Sequence, residues 1–79
     1  MVRLDCFKVS ENLASCNFYP ENQNEFGSLT INPATGEMVD LREPENGCPK
    51  VYISQARAKL HKLISSKEEL PKEAYAIWY

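Results

Sequence analysis

The chain lacks most of the features that announce a function. It has no apolar run approaching the ~18–20 residues of a membrane span. Its opening stretch, MVRLDCFKVSE, carries acids and no continuous apolar segment, so it does not read as a signal peptide, and the expected location is cytoplasmic. Glycine is scarce. Gly27, Gly36 and Gly47 stand apart from one another, and neither G-x-x-x-x-G-K-[ST] nor G-x-G-x-x-G occurs, so no glycine-rich phosphate cradle is available. His61 is the single histidine, and the three cysteines, Cys6, Cys16 and Cys48, include no C-x-x-C pair. An odd count without a secretion signal argues against a disulfide framework. A zinc site needs four closely spaced Cys/His ligands, whereas these four are strung from Cys6 to His61. No metal and no cofactor is therefore expected, and the thiols read as small apolar packing groups.

What is present is the composition of an ordinary small folded domain: 43% hydrophobic and 25% charged residues over 79 positions. A chain of this length forms one domain, 1–79, and buries only about 60% of its unfolded surface. Its margin of stability is correspondingly small, about 3–5 kcal/mol from one core. The net charge of −2 is unevenly spread. Residues 1–47 hold eight acids against three bases, and residues 48–79 hold six bases against three acids. The plain reading is a solvated surface with complementary halves. The functional one is a basic helix that meets an acidic partner.

Strand periodicity dominates the first half. In Val2 to Val9, Val2, Leu4 and Cys6 alternate with Arg3, Asp5 and Phe7, and the alternation blurs at Lys8 and Val9. After a polar turn at Ser10 to Asn12, Ala14 to Tyr19 reads as a second strand closed by Pro20, which cannot donate to a ladder. Two further strands flank Asn32, Pro33, Ala34, Thr35 and Gly36. Pro33 presets φ at the first corner, and Gly36 supplies the positive φ for re-entry, with a bulge. Leu29 with Ile31, and Val39 with Leu41, are expected on the core face. Met38, Asp40 and Arg42 are expected opposite.

The second half changes period. Glu43 to Pro49 carries two prolines and a glycine and is a loop, with Pro49 suited to the first helical position. Tyr52, Ile53, Ala56, Leu60, Leu63 and Ile64 recur at helical spacing and fall within an arc of about 120°. Val51 falls on the polar side, which puts the regular helix from about Tyr52, and Lys67 would enter the apolar stripe, so the helix stops by about Ser66. Lys72 to Tyr79 is a final strand with bulk on both faces: Ala74, Ala76 and Trp78 on one, Tyr75, Ile77 and Tyr79 on the other. Such a strand is covered on both sides or packs against a partner. The order β-β-β-β-α-β, with one amphipathic helix on one face of a small antiparallel sheet, predicts a two-layer α+β sandwich.

Three segments together resemble a family. They are FYPENQNEFGSLTINPATGEMVDL from Phe18 to Leu41, the Lys- and Ala-rich helix, and the terminal AIWY from Ala76 to Tyr79. This arrangement resembles small uncharacterised proteins of Gram-positive bacteria and their prophages. Those share a Tyr-Tyr-Pro-Glu-Gly-like start, a Gly-x-(hydrophobic)-x-(hydrophobic) hairpin with a Thr-Gly-Glu turn and a terminal Trp-Tyr. The resemblance spans about three quarters of the chain, and Asn22 stands where the pattern would place a glycine. It implies a small cytoplasmic accessory protein, encoded on a mobile element, and transfers no functional residues because the family has no assigned activity.

Three functional readings remain. A Cys–His nucleophile pair would need a thiol within hydrogen-bond reach of His61. Cys48 lies roughly 13 residues from it, about 20 Å along a helix axis, and Cys6 or Cys16 could approach only from a strand beneath the helix, as inert packing groups. His61 itself reads as an exposed helical residue without a role. The scattered carboxylates, such as Glu21, Glu25, Glu37 and Asp40, read as solubilising charge, since paired-acid catalysis needs a cleft that splits two pKa values. A nucleic-acid binder would use Arg57, Lys59 and Lys62 on the helix, but the sequence pI of about 5.3 lies far below the ~9 of many such domains. The leading expectation is a non-enzymatic module that binds another protein or itself. Its contact residues are Tyr19, Tyr75, Trp78 and Tyr79, since aromatics concentrate at interface cores. For Trp78 the competing reading, a core position, is the stronger, because a marginal domain needs its largest apolar residue inside.

Overall fold

The computed structural model describes residues 1–21 and 23–78, so the Asn22 departure and the expected contact at Tyr79 lie outside the described residues. The elements are β1 (Val2–Val9), β2 (Ala14–Pro20), β3 (Gly27–Ile31), β4 (Met38–Arg42), α1 (Lys50–Ser65) and β5 (Glu73–Ala76). All neighbouring strands run antiparallel, in the spatial order β4-β3-β2-β1-β5. The first four strands form a meander of short hairpins. The chain then leaves one edge, crosses the sheet as α1, and adds β5 at the opposite edge. This is the two-layer α+β sandwich that the element order predicts.

The alternation in β2 and β3 is complete. Ala14, Cys16 and Phe18 point to the helix side with Leu29 and Ile31, and Ser15, Asn17, Ser28 and Thr30 point away. Val2 and Leu4 of β1 and Ala76 of β5 join the first set, and Ala56 and Leu60 of α1 close the core over them. Each fully buried Leu, Ile, Val or Phe contributes about 1.5–3 kcal/mol relative to exposure. The expected helix stripe holds for Ala56 and Leu60 in the core and for Tyr52, Ile53 and Ile64 at its margin, whereas Leu63 is not among the residues packed on it. The helix opens at Lys50, one residue after Pro49, which is its N-cap and offers no side-chain cap. It begins two residues earlier than expected, with Val51 facing outward. Ser66 caps its end.

Two bulges rewrite the simple alternation. In β1, Asp5 pairs with Asn17 and Lys8 with Ser15, so Cys6 and Phe7 together oppose one residue of β2. Cys6 takes a left-handed φ of 55° and is exposed, while Phe7 turns to the core side. The expectation that Cys6 shares a face with Leu4, and Phe7 with Asp5, is thereby corrected; an inserted residue inverts every side chain beyond it. In β4, Ile31 pairs with Met38 but Thr30 with Asp40, which leaves Val39 as the extra residue. Met38 packs on the core and Val39 is exposed, the reverse of their expected faces; Leu41 pairs with Leu29 but, at the sheet edge, is also exposed, so its expected core position is corrected as well.

The 32–37 turn is built as its residues suggest. Asn32 Oδ1 accepts from the Ala34 and Thr35 amides at 2.9 and 3.4 Å, and Thr35 Oγ1 accepts from the Glu37 amide at 3.2 Å. Gly36 sits at φ 80° and donates to the Asn32 carbonyl at 2.7 Å. Arg57 and His61, one turn apart on α1, hold this turn to the helix. Arg57 Nη1 donates to the Gly36 carbonyl at 3.1 Å, and a Cβ at Gly36 would lie 2.7 Å from His61 Nδ1. His61 is thus half-buried against the turn rather than a free surface group. The last strand is shorter than expected and covered by the helix on one side only. Tyr75 and Ile77 remain 37% and 63% exposed.

Candidate interaction surface

One face of the sheet carries the helix; the other is open. Antiparallel sheets tolerate this because alternation supplies a polar face to water. Cross-strand register orders the open face into rows. One row is Glu73, Asp5, Asn17, Ser28 and Arg42; another is Lys8, Ser15, Thr30 and Asp40. Between Lys8 and Thr30 a shallow trough of about 340 Å³ is lined by small polar side chains, Ser15, Asn17 and Ser28 among them, with Cys6 at its rim.

The remaining row differs in kind. Tyr75 of β5 pairs with Arg3 of β1, and Arg3 pairs with Tyr19 of β2. The Arg3 guanidinium lies 3.9 Å from the Tyr19 ring centroid, a cation–π distance. Nη1 of Arg3 also meets Asp5 Oδ2 at 2.9 Å and lies 3.9 Å from Glu73 Oε2. Phe26, just ahead of β3, extends the row, its ring tilted 37° and centred 5.1 Å from that of Tyr19, and it is half exposed. Asp5 Oδ1 lies out of solvent with no hydrogen-bond partner, which leaves an acceptor at the foot of the row.

Of the expected contact residues, Tyr19 and Tyr75 share this open-face row. Trp78 does not join them. It lies past the end of β5 on the helix side, half-buried against the core, with its ring edge-on to Tyr52 at 5.4 Å. Tyr52 in turn donates its hydroxyl to Glu21 Oε1 at 2.5 Å, and the N-terminal ammonium reaches the same oxygen at 3.2 Å. The Tyr52 hydrogen bond, then that of the ammonium, holds the Glu21 carboxyl below its ordinary range, and the same carboxylate raises the Tyr52 hydroxyl. Sequence reading missed Phe26 and Arg3. Phe26 precedes the alternating run, and Arg3 gains its meaning only from the partners that β2 and β5 bring beside it.

The helix residues divide. Arg57 is committed to the Gly36 carbonyl, while Lys59 and Lys62 border β5. The thiols are dispersed. Cys16 lies under the helix, and burial, with smaller repulsion from Asp5, pushes its pKa up to about 12. Burial and Glu43 also raise the Cys48 thiol. Cys6 borders the open face, on the opposite side of the sheet from His61. Among the described residues no three His, Cys, Asp or Glu side chains converge as a metal ion would require, and no helix is long and apolar enough to cross a membrane.

Set beside known protein families, curated proteins and solved structures, the chain finds no match.

Proposed function

We propose that this chain is a non-enzymatic protein-interaction module of the cytoplasm, and that the open sheet face around Tyr19, Arg3, Phe26 and Tyr75 is its contact surface. One observation carries the reading: an arginine flanked by two tyrosines, with a phenylalanine beside them, stands in register on the uncovered face of the sheet. Tyrosine and arginine are the residue types that dominate interface energetics, because each buries a large rigid surface while keeping polar groups to satisfy. Arg3 is held by Tyr19 and Asp5, so little side-chain freedom is lost when a partner covers it. The resemblance to small prophage and Gram-positive proteins adds an accessory role to this reading.

Nucleic-acid binding through the helix has less support. Arg57 is engaged by the 32–37 turn, which leaves two lysines, Lys59 and Lys62, on that face in a chain of net charge −2. A thiol-dependent activity has less still, given the raised Cys16 and Cys48 thiols.

The test is a pull-down from bacterial lysate with the tagged chain, in nuclease-treated and untreated halves, beside the Tyr19→Ala variant. A protein retained in both halves and lost with Tyr19→Ala, by roughly 30-fold in affinity for a hot-spot side chain, supports the reading. Recovery that vanishes with nuclease replaces it with the nucleic-acid one.

A further inference from the structure

The sheet has two outer edges, and they are defended differently. Natural edge strands avoid promiscuous pairing through bulges, charges and prolines. Strand β4 has a bulge at Val39 and charges at Asp40 and Arg42. Strand β5 has no bulge, no proline and no lysine. Its one charge, Glu73, stands at its first position and leans toward Arg3 on the open face. Beyond β1, β5 has no pairing partner among the described residues.

Alongside this edge runs a groove of about 230 Å³ between β5 and α1. Its helix wall is the stripe Gln55, Ala58, Lys59 and Lys62, at spacings of three and four. Ala58 contributes only a methyl side chain to this wall, beside the two lysines that line the same groove. Neither lysine forms an ion pair among the described residues. On the sheet side lie Tyr75, Ala76 and Ile77, and Ile77 is the most exposed large apolar residue described.

We infer that this groove receives an extended acidic peptide segment of a partner protein, which adds to β5 as a sixth strand. Backbone pairing along a sheet edge beside a helix supplies affinity, and alternate side chains supply selectivity. Charge and spacing determine the occupant. An added strand turns alternate residues toward the helix, about 6.8 Å apart. Lys59 and Lys62, three apart on a helix, have Cβ atoms about 5–6 Å apart, a mismatch that their flexible stems absorb. Two carboxylates at i and i+2 therefore meet the two ammonium groups, and the residue between them turns to the open face beside Tyr75 and Ile77, where an apolar side chain fits. The recognised pattern is acid, apolar, acid. The inference rests on the protein-binding reading and names a partner class for the β5 end of that surface, without calling on Tyr19.

The test is a two-dimensional NMR titration of the ¹⁵N-labelled chain with an acetylated, amidated hexapeptide of alternating glutamate and valine. Saturable shifts are expected at residues 73–77 and along 55–62, with a Kd on the order of 100 µM, as suits a short strand. Methylating every second backbone nitrogen, in one of the two possible sets, should weaken binding at least tenfold. The lysine–valine counterpart should not bind. Lys59→Glu with Lys62→Glu should exchange the preference, losing the acidic peptide and gaining the basic one. Silence at residues 73–77 up to about 1 mM peptide, or equal binding by both methylated sets, overturns the inference. So does equal binding of the two peptide charges by the parent chain, a result that requires no variant to fold. These outcomes are read at β5 and α1, whereas failure of the open-face reading is read by Tyr19→Ala in the pull-down.

Discussion

Gly27→Ala is the sharpest test of the described packing. Gly27 opens β3 opposite Phe18. A Cβ there would lie 2.3 Å from the Arg42 carbonyl oxygen and 2.7 Å from Phe18 Cζ. An ordinary carbon–oxygen approach is about 3.3 Å or more, so the strands must separate by roughly 1 Å, or β3 must shift. The ring contact could be relieved by rotation or truncation; the carbonyl belongs to the β4 backbone and cannot move without disturbing its pairing with Ser28. Overpacking of this kind costs about 1–3 kcal/mol or more. Loss of glycine freedom in the unfolded chain offsets about 0.4–1 kcal/mol of it. Against a total of about 3–5 kcal/mol, a net loss of about 2 kcal/mol lowers a urea midpoint by roughly 2 M, at a slope of about 1 kcal/mol per M. Urea unfolding followed by tryptophan fluorescence and far-UV circular dichroism measures it. Phe18→Leu in the same chain should not rescue the variant, because the Arg42 carbonyl remains. A Gly27→Ala unfolding free energy within about 0.5 kcal/mol of the parent would refute the close approach of β3 and β4 at this point.

The other predictions follow from the same contacts. Gly36→Ala should cost about 1–2 kcal/mol for its left-handed backbone, plus a coupling to His61 of about 0.5 kcal/mol or more; the cycle with His61→Ala isolates the coupling, and strict additivity would remove the His61 contact. Among the thiols, Cys6 should react first with iodoacetamide in the native chain and Cys16 only through opening of the core, since its raised pKa and burial leave little thiolate; mass spectrometry of partly labelled protein would refute this if Cys16 led. The Tyr52–Glu21 hydrogen bond should stabilise the fold over a bounded pH window. Glu21 is lowered in the folded state, so its contribution is present above its unfolded value near 4.5 and fades as pH falls through the folded value. Tyr52 is raised, so its contribution is present below its unfolded value near 10 and fades as pH climbs through the folded one. Tyr52→Phe should return the Glu21 carboxyl toward its ordinary range in a ¹³C-detected NMR titration; an unmoved Glu21 would show that the hydrogen bond is not what lowers it.

The layer architecture was legible because it depends on local periodicity. Alternation in Ala14–Pro20 and Gly27–Ile31 and the stripe from Tyr52 to Ile64 each depend on side-chain spacing along one element, and the residues that carry them are the core. The positive φ of the turn at Gly36 was legible for the same reason, since it is local chemistry, whereas the side-chain hydrogen bonds of Asn32 and Thr35 came with the structure. The bulges at Cys6–Phe7 and Val39 were not. An extra residue is a property of a strand pair, and it reversed the faces of Phe7, Met38 and Val39. His61 and Arg57 likewise read as surface groups until the crossover of α1 brought the Gly36 turn beneath them.

The candidate surface divides along the same line. The sequence by itself determined that the chain folds as strands under one amphipathic helix, and that Tyr19 and Tyr75 are aromatic positions apart from the helix stripe. Tertiary structure alone decided the strand order, and with it that β1 lies between β2 and β5, so that Arg3 stands between Tyr19 and Tyr75 and β5 is left as a bare edge beside Lys59 and Lys62. The physical reason is range: periodicity is settled within a few residues by covalent geometry, whereas strand order is settled by which distant apolar faces the single helix can cover together.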